Sequence, residues 1–203
     1  LAFSPRQGEN ETRAGNFLTD LLWQNQIKFT LQKFSCRIPK VIKAELTADG
    51  KTIPCESITF TSGIITDKKN LISNQLETEK NFPYISFNPT GKAICASGRC
   101  ISYPALAISQ TDLPKILNAK KIKGIVKVKP INHQSQNILV GNLINPQNLI
   151  FAHYDSINFG ATDNASGVAV AMKLILERQK LLTNNLFILC GNEELAYDFP
   201  IYW

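Results

Sequence analysis

The chain has 203 residues, 44% of them hydrophobic and 19% charged, which is chain enough for a substantial core and the balance of an ordinary globular protein. Its net charge of +6 comes from scattered lysines, with one modest cluster at Lys115, Lys120, Lys121, Lys123, Lys127 and Lys129. That cluster has no interleaved aromatics, so it reads as a solvated face with no nucleic-acid partner, and no run of about 18 apolar residues exists to span a membrane.

In chain order, Ala14, Phe17, Leu18, Leu21 and Leu22 recur on one face and predict a helix over about Glu11 to Gln26. Lys28 to Phe34 alternates as a strand. From Cys36 to about Pro130 the texture is β-rich: short runs at Val41–Leu46, Ser57–Phe60, Tyr84–Phe87, Leu106–Ile108 and Gly124–Val128 are separated by turn residues. One short helix is predicted at Thr111 to Asn118. From Gln136 the pattern becomes α/β. Ile138–Asn142 and Leu149–His153 read as adjacent strands, Asn164 to Lys180 as a helix, and Leu186–Leu189 as a strand buried on both faces.

These readings divide the chain into residues 1–36, a β-rich insert at 37–130, and an α/β core at 131–203. The chain opens at Leu1 without methionine or a signal segment and closes in the apolar stretch Phe199–Trp203, which reads as an interrupted chain. An exposed apolar face near Phe199–Trp203 is the related expectation. None of the five cysteines forms a Cys-x-x-Cys pair, which argues against a structural zinc knuckle. Cys95 and Cys100 bracket a turn that could close as a disulfide loop, and Cys190 reads as a buried, inert thiol.

The polar residues of interest gather at strand ends. His153-Tyr154-Asp155 closes one apolar strand, Gly160-Ala161-Thr162-Asp163-Asn164 leads into the helix, and Glu193-Glu194 follows the next strand. Ligands of open α/β sheets bind at such carboxyl ends. One imidazole with several carboxylates suits a hard-to-borderline divalent ion, above all zinc. Asp155, two residues after His153, can accept the other imidazole N–H and fix its tautomer. Taken singly, Asp163 could be a helix cap and the Glu pair a solvated turn. Their ordered combination points to a metal.

His153-x-Asp155-Ser156, Gly160-Ala161-x-Asp163-Asn164-x-Ser166-Gly167 and Asn192-Glu193-Glu194 resemble the signature of the di-zinc aminopeptidase family, and Pro5-Arg6-x-Gly8 resembles its entry segment. The resemblance implies a three-layer αβα sandwich with a mixed sheet. It implies His153 and Glu194 as ligands of one zinc, Asp163 bridging two, Asp155 orienting His153, and Glu193 as general base toward a zinc-bound hydroxide that attacks peptides after a free N-terminal residue. Carboxypeptidases, single-zinc glutaminyl cyclases and metal-free binding relatives share this signature and are the alternatives. The second zinc needs a further Asp and His; only nine residues follow Glu194, among them Asp198, and His133 is expected on the surface or in the insert. The chain as given is thus expected to be incomplete and inactive. Tyr103–Ser109 and Ile122–Lys129 resemble the end of a protease-associated domain, and with the family this points to an extracytoplasmic location.

Overall fold

The computed structural model of the chain describes residues 5–73, 81–94, 102–157 and 159–194. Its elements are helix α1 (Glu9–Gln24), strands β1 (Thr30–Ala48), β2 (Lys51–Ile53), β3 (Cys55–Ser57), β4 (Gly63–Ile65), β5 (Leu71–Ser73), β6 (Tyr84–Phe87) and β7 (Ala105–Ile108), helix α2 (Leu113–Asn118), strands β8 (Ile122–Gly141) and β9 (Asn148–His153), helix α3 (Ser166–Glu177) and strand β10 (Asn185–Cys190). They form two units, Leu1–Ile38 with Asn132–Trp203, and Pro39–Ile131. Strands β1 and β8 each run through a unit boundary without a turn. The changes of texture expected at Cys36 and about Pro130 therefore fall inside strands β1 and β8.

In the first unit β1, β8, β10 and β9 lie side by side in that order. Strand β10 is antiparallel to β8, with Phe187 opposite Val140, and parallel to β9, with Phe187 opposite Ile150. The strands expected to be adjacent, Ile138–Asn142 and Leu149–His153, are thus separated by β10. The reason lies in the connections. Helix α3 carries the chain back from the end of β9 to restart beside it in the same direction, as a parallel pair requires. The apolar run Leu186–Leu189 then takes the central slot, where both faces are covered.

Ala14, Leu18 and Leu22 of α1 and Val168, Ala171, Met172 and Ile175 of α3 share one core with Ile138, Val140, Ala152, Phe187 and Leu189. Helix α1 starts two residues earlier than its apolar period suggests, with Glu11 turned inward, while Phe17 points outward at the margin of the stripe. Helix α3 is shorter than expected: it begins at Ser166, after Asn164 Oδ1 has accepted the Gly167 N–H at 3.0 Å, and tightens into a 3-10 turn after Arg178.

The same six-stranded sheet continues along β1 and β8 into the second unit, where β2 pairs with β1 and β4 with β8; a separate four-stranded sheet has the order β3, β7, β6, β5. Leu46, Ile53, Ile65, Ile85, Leu106, Ile108, Ile116, Ile122 and Val126 form the core of this unit. Every residue of β7 is buried, as a central strand of an apolar sheet should be.

Candidate metal centre

Parallel register sets the site. His153 is the partner of Cys190 at the ends of β9 and β10, so the residues that follow each strand emerge together at one sheet edge. From that edge His153, Asp163 and Glu194 each offer a ligand atom, and the three atoms lie within 4.8 Å of one another. The sequence places them on three separate loops; the fold brings them to one point.

The imidazole is held at both nitrogens. His153 Nε2 lies 2.8 Å from Asp163 Oδ1, and Nδ1 lies 3.3 Å from Asp155 Oδ1. Asp155 is almost fully buried, and neither its Oδ1 nor His153 Nδ1 has a hydrogen bond to another described residue. The two orphaned atoms complete each other only if Nδ1 carries the proton and leans on the carboxylate, which leaves Nε2 to face Asp163 and Glu194. This is the arrangement that a metal-ligating imidazole takes with its outer carboxylate. Asp155 does a second thing: its Oδ2 accepts the backbone N–H of Glu194 at 2.8 Å, tying the loop after β10 to the end of β9.

Burial alone would lower the pKa of His153, but the Asp155 carboxylate, followed by the charges of Glu193 and Asp163, outweighs it and pushes the imidazole up to about 9. Glu193 is thus close enough for its charge to be felt at the ring, and it is half-buried. The Asp163 side chain is largely exposed. Cys190 is buried and its thiol is pushed up to about 12 by that burial and by Asp155 and Glu193, so it stays protonated and outside the chemistry.

Arg6 and Asn192 support this edge from outside the ligand set. Arg6 has no solvent exposure. Its Nε donates to Tyr154 O at 2.6 Å, Nη1 to Phe159 O at 3.1 Å and Nη2 to Gly160 O at 2.9 Å, so one guanidinium spans the loop between His153 and Asp163. Burial lowers the Arg6 pKa, partly offset by the charge of Asp155. Gly160 has φ +61, and a Cβ there would run into Arg6 and Ser156. Asn192, at φ 53, turns the chain toward Glu193 and Glu194 and donates to Cys36 Sγ at 3.0 Å. A positive φ is tolerated by Asn better than by most residues, which gives the Asn of Asn192-Glu193-Glu194 a backbone reason.

His133 departs from expectation. It belongs to the first unit, is mostly buried, and pairs with the carboxylate of Glu11, which also accepts from Ser135 Oγ at 2.6 Å. An unpaired Glu11 would be costly inside α1, and this partnership is what turns His133 inward. Cys95, Cys100, Asp198 and Phe199–Trp203 lie outside the described residues. Among the described residues no second group of three metal-ligating side chains occurs beside His153, Asp163 and Glu194.

The sequence profile of peptidase family M28 matches residues 139–197. No curated protein matches the chain. Among solved structures, a zinc aminopeptidase from Bacillus subtilis, BSAP, aligns with a TM-score of 0.62 and 17% identity over 94% of this chain and 57% of its own. A peptidase M28 precursor from Shewanella amazonensis aligns with a TM-score of 0.52 and 16% identity over 93% of this chain and 59% of its own. At these identities the likeness is one of fold, a mixed α/β fold, and this chain spans under three-fifths of the length of either structure. All three site loops, those carrying His153, Asp163 and Glu194, lie inside the segment that matches this family's profile.

Proposed function

We propose that this chain carries the zinc-holding part of a metallopeptidase, and that the whole protein is an aminopeptidase that removes N-terminal residues from peptides. The observation that carries the reading is the convergence of His153, Asp163 and Glu194 to within 4.8 Å, with a buried carboxylate behind the imidazole. One nitrogen and two carboxylates are a donor set that suits zinc. His153 through Nε2, Asp163 and Glu194 would hold the ion. When bound, zinc supplies Lewis acidity toward a peptide carbonyl and brings the pKa of water to about 7.

The chain's own residues do the rest. Asp155 keeps the Nδ1 proton on His153, fixes the ring plane and raises its basicity as a ligand. By holding the Glu194 N–H, the same carboxylate couples the position of one ligand to that of another. Glu193, next in sequence to a ligand but free of that duty, takes the proton from the attacking water and returns it to the leaving amine. Arg6 holds the carbonyls of Tyr154, Phe159 and Gly160, which anchors the chain on the way from His153 to Asp163.

The test separates binding from chemistry. Zinc uptake by the chain, measured by competition against a chromogenic chelator, should fall at least about a hundredfold for His153→Ala and Asp163→Asn. Glu193→Gln should leave uptake at the wild-type level, while in the complete protein it lowers hydrolysis of a leucyl anilide by about 10²–10⁴. No zinc uptake, or uptake indifferent to His153 and Asp163, overturns the reading.

A further inference from the structure

Charge is divided unevenly along the chain. Residues 39–131 carry 14 Lys and Arg against seven Asp and Glu, a net of +7, whereas the remainder carries eight against nine, a net of −1. The second unit therefore holds all of the protein's excess positive charge. Strand β8 gathers much of it on one side: Lys123, Lys127 and Lys129, with Lys121 just before the strand, are exposed and alternate with buried Ile122, Gly124 and Val126. On neighbouring β1, Lys43 and Glu45 alternate with Leu46 and Ala48 in the same sense, and Thr47 Oγ donates to Lys123 O at 3.3 Å. Two carboxylates nearby are engaged: Glu45 pairs with Lys43 at 2.8 Å, and Asp49, just past the end of β1, accepts the backbone N–H groups of Lys120 and Lys121 at 3.0 and 2.8 Å.

The middle of this face is not polar. Ile64 of β4 is the cross-strand partner of Ile125, and Ile125 sits between Lys123 and Lys127 on the same side of β8. Ile64 is 58% exposed. An apolar pair framed by cations is a poor solvated face, since water gains nothing from Ile64. It is a poor nucleic-acid face as well, because no aromatic side chain of this unit is exposed among the described residues to stack a base. The pattern fits a surface whose outer layer is anionic and whose next layer is apolar. Lysines near an anionic leaflet are attracted by its surface potential, and short apolar side chains between them reach the headgroup boundary. The face is also firm: Val128 N donates to Ser62 Oγ at 2.9 Å, fixing the entry to β4 against β8.

We infer that the β1–β8–β4 face of the second unit, with Lys123, Lys127, Lys129 and Lys43 around Ile64 and Ile125, docks reversibly on anionic phospholipid membranes. The inference is independent of the metal centre. Vesicle co-sedimentation of the chain tests it, using phosphatidylcholine alone and a two-to-one mixture of phosphatidylcholine and phosphatidylglycerol. The chain should bind the mixed vesicles and not the neutral ones, and should be released as added salt shortens the Debye length. Lys123→Glu with Lys127→Glu should weaken binding at least about tenfold. Lys173→Glu with Lys180→Glu, the same charge change in the first unit, should leave it within about twofold. Ile64→Ser, with charge unchanged, should weaken it by several-fold and shows the apolar contribution. Equal losses from the two charge reversals, no difference between the vesicles, or retention on RNA or heparin with none on mixed vesicles overturns the inference. Unchanged far-UV circular dichroism of each variant keeps those outcomes distinct from misfolding.

Discussion

His153 is where sequence chemistry and fold meet most sharply. Its pKa stands at about 9 in the metal-free chain, against an ordinary 6.5. A group whose folded pKa is raised adds stability that is fully present below its unfolded value and disappears as pH rises through the folded one. The metal-free chain should therefore lose stability between about pH 6.5 and pH 9 through this residue. Thermal unfolding across that window should show the loss in the wild type and a flatter profile in His153→Gln. The same protonation sets the proton balance of metal uptake. At pH 7 zinc must displace a proton from His153, and calorimetry in buffers of different ionisation heat should report release of about one proton per ion. Asp155→Asn removes the strongest upward influence, so an imidazole titration followed by NMR should move to lower pH than in the wild type.

At the scale of elements, the loop from Tyr154 to Gly160 is positioned by a residue about 150 positions away. Removing the Arg6 guanidinium leaves three carbonyls without their donor, and Arg6→Ala should cost on the order of 3 kcal/mol in urea unfolding. Arg6→Lys should recover only part of that, because an ammonium cannot span three acceptors held by a planar fork. At the start of α3, Asn164→Ala removes the acceptor for Gly167 N and should cost about 1 kcal/mol. Both substitutions also bear on Asp163, which lies between the two supports. Its zinc contribution should weaken more than the loss of stability alone predicts, and the chelator competition reads this directly.

For the molecule as a whole, the described apolar residues fall into two cores that share no member. Phe187→Ala opens a cavity where β10 meets α1 and α3, and should cost about 3–5 kcal/mol. In hydrogen exchange its effect should appear across α1, α3 and β10, whereas Leu106→Ala should act on β6, β7 and α2. A single transition in which both substitutions accelerate every amide equally would show one cooperative unit instead.

Much of this was legible in the residues themselves. The periodicity of Ala14, Leu18 and Leu22, the short β-type run Tyr84–Phe87 between turn residues and the two-sided apolar run Leu186–Leu189 indicated element types, because burial imposes a pattern on any chain. The signature residues from His153 to Glu194 were readable for the same kind of reason: metal chemistry admits few side chains, and their order along a strand–helix–strand unit is distinctive. Boundaries were less legible. The changes of texture at Cys36 and about Pro130 read as boundaries, yet β1 and β8 pass through them, since the strand ladder is held by residues distant in sequence. Three things were decided only in three dimensions. Strand β10 separates β8 from β9, His133 turns inward to meet Glu11, and Arg6 reaches across to the site loop. Each depends on contacts between segments more than 40 residues apart, or on a choice of neighbour that local pattern leaves open. The sequence names the side chains able to hold an ion; only the folded chain, by running β9 and β10 parallel and in register, puts them at one edge.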